Sequence, residues 1–427
     1  MYEKSKTFHL IFHRLTRLAD PQHLRYVSLV KCSSIGDRLR EARERLGLTR
    51  RRVSLDAGLA PEAAYSIESS NRMPGIDTTE RLASVLNVSA AWLAYGSDAA
   101  RPIRNFIPAP GFFGSSRALM LEAQLRGAGG PIDQSFLYSD PIGAARYMEI
   151  AQTYRGVPVK EAAAAIRDAV TDSERVTVIA LGSGHARQES VFLESVLRDA
   201  PYPDKIEVYL VDSSICMLTE GYRYASEYLR HFDAPIVAVE GDFSNLPAIS
   251  DSFGTGVPTK RIFTLLGYTI ANLPNELSLL RDSLAAISSR GDFLLLDFCT
   301  APSTKTVTAK SIVAADPVSR LLDAGATPRT NKLLAFLAGP VTRQYGEVTK
   351  LELRGATNAG SIPKSTACEF WCSVDTDEGT KRFMTASWRR YSPDELIRAF
   401  SRLGWDLVEK WEWSPERPSL LALFQRS

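Results

Sequence analysis

Apolar positions along the chain change their period part-way. Between residues 34 and 97 they recur at helical spacing, with Ile35, Leu39, Ala42 and Leu46 on one face. Gly47 ends that helix and Thr49 caps a second over 50–57, with Val53 inward. Gly58 then turns the chain, and Pro61 suits the first turn of a third helix running through Glu68. Arg72-Met73-Pro74 breaks the pattern, and short helices at 79–86 and 89–93 follow. Residues 98–116 contain three prolines and two glycines and no period. They read as a linker whose Phe106, Phe112 and Phe113 dock on neighbouring structure. Residues 117–174 read as a mainly helical lead-in. From Arg175 the pattern becomes a buried strand at 176–181 that ends in glycines. Helical stretches then alternate with apolar runs at 206–211, 236–239, 262–266 and 293–298. That alternation predicts an α/β fold with a mainly parallel, Rossmann-like sheet covered by helices on both faces. Residues 300–380 are less regular, and the chain closes with a helix at 392–403 and a strand at 405–413.

Composition narrows the picture. The 427 residues suggest more than one domain, and 44% hydrophobic with 23% charged residues is ordinary for a globular chain. Lys and Arg (51) nearly balance Asp and Glu (49), which argues against a uniformly basic nucleic-acid coat. No apolar run reaches membrane-spanning length, so no membrane partner is expected. Five scattered cysteines with no CxxC pair read as reduced thiols of a cytoplasmic protein. Three of the five histidines lie in the first 23 residues, leaving His185 and His231 without metal-ligand neighbours. Neither a metal site nor a Ser-His-Asp hydrolase is expected. Residues 1–32 form a basic N-terminal extension carrying six Lys and Arg against two acids.

Two short helices around a glycine turn make helix-turn-helix geometry, which offers the second helix to a major groove. Leu48-Thr49, Ala57-Gly58-Leu59, Ile67-Glu68, Leu82-Ala83, Leu86-Asn87-Val88-Ser89 and Trp92-Leu93-Ala94-Tyr95-Gly96 together resemble the Cro/CI-type helix-turn-helix family over residues 33–97. The resemblance implies DNA contact and a homodimer. Arg50, Arg51 and Arg52 are placed for phosphates, and Glu62, Tyr65 and Ser66 for the groove. That face holds no Arg, Lys, Asn or Gln for bidentate base contacts, so a dimerising or regulatory role is the other reading.

The second half of the chain carries the chemistry. Leu181-Gly182-Ser183-Gly184-His185 lies between a buried strand and a helix, where glycines let backbone approach a ligand. Asp212 ends the next strand and suits ribose hydroxyls, and Glu240-Gly241-Asp242-Phe243 ends the third. An acid beside an aromatic suits an adenine. Position 187 is Arg, so no third glycine follows in GxGxxG register, and a ligand without phosphates is favoured. S-adenosylmethionine (SAM) has that chemistry. With Leu266-Gly267-Tyr268-Thr269-Ile270-Ala271-Asn272-Leu273, Arg290 to Leu295 and Thr385 to Glu395, these motifs resemble the histidine-specific methyltransferases of the ergothioneine pathway, most closely over 176–300. The resemblance implies a class I methyltransferase domain over 117–427, with its nucleoside core at 175–300 and a substrate-side part at 301–427. By it, Gly182, Gly184, Asp212, Asp242 and Phe243 bind SAM, and the adjoining Ser183 and Ser213 are expected at the same site. Asn272 faces the acceptor, and Tyr268, Tyr391 and Trp388 are further acceptor-positioning residues.

The chain departs from that family at three places. Its acid before Leu-Gly is Ala180 here, its Glu-x-Ser is Ala386-Ser387-Trp388, and its Tyr-Tyr-x-Thr-Arg segment is missing. Histidine is therefore a poor acceptor, and a larger or more aromatic small molecule or peptide is expected. The reading that follows is a SAM-dependent N-methyltransferase with a helix-turn-helix appendage. The alternative is a transcription regulator whose methyltransferase-like domain senses SAM or a related ligand.

Overall fold

The computed structural model describes residues 34–70, 74–86, 88, 93, 106–108, 114–151, 157–171, 173, 175–199, 206–230, 232, 234–253, 259–301, 307–413 and 418–427. The basic extension 1–32, Phe112, Phe113, Trp92 and His231 lie outside them. The chain divides into two compact units, Met1–Arg104 and Asn105–Ser427.

In the first unit, α1 (Ile35–Arg45), α2 (Arg50–Asp56), α3 (Ala63–Ser70) and α4 (Ile76–Leu86) follow in order. Ser34 and Asp37 cap α1 reciprocally: Ser34 Oγ accepts the Asp37 N–H, and the Asp37 carboxylate accepts the Ser34 N–H, each at 3.1 Å. Thr49 caps α2 through the Arg52 N–H. Both glycine turns, at Gly47 and Gly58, have φ +66°, where a side chain is strained. Leu39, Ala42, Val53, Ala64, Leu82, Leu86 and Leu93 form the core.

The second unit is built on an eight-stranded sheet. Its strands are β1 (Phe106–Pro108), β3 (Val176–Leu181), β4 (Ile206–Asp212), β5 (Ile236–Glu240), β6 (Lys260–Leu265), β7 (Phe293–Cys299), β11 (Trp405–Trp413) and β12 (Ser419–Arg426), in the order β1-β5-β4-β3-β6-β7-β12-β11. All neighbours from β1 to β7 are parallel, and the closing β11–β12 hairpin runs antiparallel. The expected parallel core is present. The presumed linker 98–116, however, contains β1, which pairs Phe106 with Ala238 along the β5 edge. Its apolar Phe-Ile pair serves an unfilled sheet edge, which local composition does not reveal.

Residues 350–390 hold a second sheet. Strands β8 (Lys350–Thr357), β9 (Thr366–Thr376) and β10 (Gly379–Arg390) are antiparallel, and β2 (Gly130–Pro131) adds parallel to β10. Phe370, Cys372 and Phe383 anchor a separate core beneath it.

Helices α5 (Gly114–Arg126), α6 (Pro141–Ala151), α7 (Val159–Ala165) and α8 (Arg167–Thr171) precede β3. Helix α9 (Arg187–Asp199) joins β3 to β4, and α10 (Ile215–Tyr228) joins β4 to β5. The chain steps outward from β3 to β4 to β5, then returns to place β6 on the other side of β3. The chain thus leaves β3 and β6 toward opposite halves of the sheet, and a crevice opens at the carboxyl ends of these strands, where open α/β sheets bind ligands.

Candidate functional site

The glycine turn sits at that crevice and is built from close contacts. Gly182 and Gly184 have φ +62° and +50°. A Cβ on Gly182 would lie 2.6 Å from Thr269 Cγ2 and 3.1 Å from Phe243 Cε1, so the loops after β3, β5 and β6 converge on that one residue. The loop is stitched to its neighbours by backbone bonds, Ser183 N–H to Val211 O at 3.1 Å and Gly241 N–H to Asp212 O at 3.0 Å. The glycine missing from position 187 has a counterpart on α10. A Cβ on Gly221 would lie 2.4 Å from the Gly184 carbonyl oxygen, so this glycine lets the helix close on the loop. Gly221→Ala drives a methyl into backbone that no rotamer can relieve. We expect it to cost about 1–3 kcal/mol despite alanine's better helix propensity, measured by denaturant unfolding.

Asp212 is the hinge of the arrangement. One carboxylate oxygen accepts the Gly184 N–H and the other the Ser214 N–H, each at 2.8 Å. Cavities flank it. One, of about 300 Å³, is lined by Arg117, Asp140, Ser213, Ile215, Glu240 and Arg343. The other, of about 70 Å³, is lined by Tyr147, Gly182 to His185, Glu189 and Leu266 to Thr269. Glu240 is buried and reaches the first cavity. Asp242, expected to meet the ligand, is instead exposed, and its Oδ1 accepts the Ser244 N–H at 2.9 Å as a helix cap. Asp242 follows a strand end as Asp212 does, but capping its own short helix turns its carboxylate outward. Phe243 packs on the main core and touches the glycine turn.

The electrostatics are acidic. Glu189 and Asp297 are buried carboxyls close to the half-buried Asp212. Burial pushes Glu189 up to about 8, and nearby Asp297 and Asp212 add to the shift. Burial also pushes Asp297 up to about 7, against hydrogen bonds from the Tyr268 and Gly267 amides. Burial holds the His185 imidazole down at about 4, so it is neutral at pH 7. Its ring stacks on Tyr147 with centroids 6.1 Å apart. The folded chain keeps protons on Glu189 and Asp297 that the unfolded chain releases near pH 4, so stability falls as pH rises from about 4 to about 8. The unliganded protein is expected to melt lower at pH 8 than at pH 5.5, and Glu189→Gln to flatten the difference, read from thermal unfolding across that range.

The acceptor-side residues separate. Asn272 Oδ1 accepts from Gln134 Nε2 at 2.8 Å, and Gln134 Oε1 accepts the Ser387 N–H at 2.8 Å, which ties the crevice to β10. Tyr268 lines the smaller cavity in a left-handed conformation (φ 60°). Its N–H bonds Asp297 Oδ1 at 2.9 Å, and its ring stacks on Trp413 at 5.7 Å. Tyr391 is wholly buried, and its hydroxyl donates to Glu276 Oε1 at 2.9 Å. Trp388 packs against the second core and donates to Asp316 Oδ2 at 2.8 Å. Neither lines the two cavities. Both were singled out by motif position, and local motif cannot tell a pocket face from a core face.

Sequence reasoning missed Glu189, Asp297, Glu240, Arg117 and Gly221. The signal for Asp297 was an acid inside the apolar strand Phe293–Cys299. Glu189 looked like an ordinary acid in the first turn of a helix.

In the first unit, α2 and α3 flank the Gly58 turn. Glu68 on α3 has no exposed side-chain surface and binds Arg43 Nε and Arg50 Nε, each at 2.7 Å. Arg50 also lies over the Tyr65 ring, and Arg52 pairs with Asp56 at 2.7 Å. Arg51, Glu62, Tyr65 and Ser66 are exposed. Residues 36–98 match the helix-turn-helix domain family.

No curated protein matches the chain. Among solved structures, the CcbJ methyltransferase from Streptomyces caelestis is 15% identical, covering 64% of this chain and 97% of its own, at a TM-score of 0.32. The magnesium protoporphyrin IX methyltransferase of Synechocystis PCC 6803, with bound SAH (S-adenosylhomocysteine), is 12% identical over 69% and 100%, at 0.36. The glycopeptide N-methyltransferase MtfA complexed with sinefungin is 14% identical over 74% and 100%, at 0.34. All three scores fall below 0.5, so the α/β fold stands on the sheet topology above. Among the described residues no helix is long and apolar enough to cross a membrane.

Proposed function

We propose that the second unit is a SAM-dependent methyltransferase acting on a small molecule or peptide, with N-methylation of an amino-acid-like acceptor as its reaction. The observation that carries this reading is the glycine turn at the sheet's switch point, bonded to Asp212 and walled by the buried acid Glu189, with Asp297 holding the Tyr268 amide behind it. Once ionised by an arriving cation, Glu189 would pair with an ammonium or a sulfonium. The fit is supported by orphaned buried atoms, Ser183 Oγ and Asp297 Oδ2, and by the backbone cradle at Gly182. Gly182, Ser183, Gly184, Asp212 and Ser213 would hold the ligand, joined by Glu240 and Phe243. SAM, when bound, supplies an electrophilic methyl group. The chain's task is to hold a nucleophile aligned and dry. Asn272, oriented through Gln134, and Tyr268, pinned by Asp297 and Trp413, perform the positioning.

Calorimetric titration with SAM tests the ligand, and mass spectrometry of cell extract incubated with methyl-labelled SAM tests the reaction. Absence of SAM binding at millimolar concentration overturns the proposal. Binding with no methylated product favours the second reading, a transcription regulator that senses SAM, which the helix-turn-helix match supports. Since Arg50 and Arg52 already pair with acids of their own unit, we expect a weak DNA contact or a dimerising role for this domain. Gel shifts with genomic fragments are expected to lose all retardation at physiological salt.

A further inference from the structure

We propose that Glu189 is the carboxylate that receives the cationic ammonium of the ligand's amino-acid end. This rests on the SAM reading above and assigns a contact to a residue that the motifs do not mark. Glu189 stands in the first turn of α9 with 5% of its surface exposed, and it lines the smaller cavity beside Gly182, Gly184 and Tyr268. Its acidic neighbours differ in what they have left to offer. Asp212 spends both oxygens on the Gly184 and Ser214 amides. Asp297 is fully buried and spends Oδ1 on the Tyr268 amide, while its Oδ2 has no partner. Among the described residues no Lys or Arg is bonded to Glu189 or Asp297. Arg187 also lines this cavity, but its guanidinium lies over the Tyr224 ring at 5.7 Å and is not bonded to Glu189, and His185 on the same cavity is neutral.

A buried acid that faces a cavity and has no bonded counter-ion suits a cationic guest, which pairs with it once it ionises. Position 180, where the resembling family carries an acid, is a fully buried alanine. The charge comes from the next helix instead. Without ligand, burial and the acids Asp297 and Asp212 keep a proton on Glu189. The arriving ammonium releases that proton to solvent.

The test is calorimetry on the full chain with three probes: SAH, its deaminated analogue and 5′-methylthioadenosine. The wild-type protein is expected to prefer SAH over the deaminated compound by roughly 10- to 100-fold, the worth of one charge-assisted hydrogen bond. Glu189→Gln should lose that preference and the proton release, seen as a dependence of the heat on buffer, while binding methylthioadenosine as before. Equal wild-type affinity for SAH and the deaminated analogue overturns the assignment without any variant having to fold. If the wild type binds methylthioadenosine but ignores the ammonium, only this inference fails. If it binds none of the three, the SAM reading falls and this inference with it.

Discussion

Asp212→Ala is expected to remove measurable SAM binding. The substitution deletes a carboxylate that accepts two partly buried backbone N–H groups, from Gly184 and Ser214, at 2.8 Å each. Each amide left unpaired costs about 1–3 kcal/mol, and the loop bearing Gly182 loses its tie to β4. Together these losses imply an affinity drop on the order of 100-fold or more. Asp212→Asn keeps the shape and one acceptor, so it should fall between alanine and wild type. Calorimetric titration with SAM, paired with a melting curve for each variant, reads the result. Wild-type affinity in a folded Asp212→Ala protein would sink the role given to this residue.

Glu68→Ala is expected to have the largest effect on stability, confined to the helix-turn-helix domain. The Glu68 side chain is wholly buried, and Arg43, itself only 10% exposed, depends on it. Arg40 approaches the same carboxylate at 3.5 Å. Burial raises the Glu68 carboxyl, but hydrogen bonds from Arg43 and Arg50 outweigh that and hold it below the usual carboxylate range. Removing one partner of such a buried pair strands the other charge and costs about 3–5 kcal/mol. Hydrogen exchange of the α1 to α3 amides in the full chain measures this. Protection equal to wild type would mean the ion cluster contributes nothing. The same cluster engages Arg50, well placed for phosphate by sequence: Glu68 binds its Nε at 2.7 Å, although much of the Arg50 side chain stays exposed.

Much of the molecule was legible in local pattern. The five apolar runs from Val176 onward became parallel strands within two residues of their expected ends. Thr49 caps as its residue type suggests, because a hydroxyl one residue before a helix satisfies an orphan amide in any context. Gly182 and Gly184 adopt the positive φ that glycine supplies cheaply. The second sheet at 350–390 escaped notice. Its strands pair with one another and with the distant Gly130–Pro131 segment, and alternation there is blurred by partly buried polar residues on the open face.

By itself the amino-acid order determined many of the backbone turns, the helices of the first unit, the strands of the parallel core, and that three strand ends carry glycine or acid. These depend on interactions within a few residues. Only the tertiary structure decided which acids meet. Asp297 lies 85 positions after Asp212, yet both lie near Glu189, because β6 and β7 return to the far side of β3. Strand order is set by which faces can be buried together over the whole sheet, a property of the assembled chain. That same packing buried Tyr391 in the core, set Trp388 against the second core and left Glu189 facing the cavity.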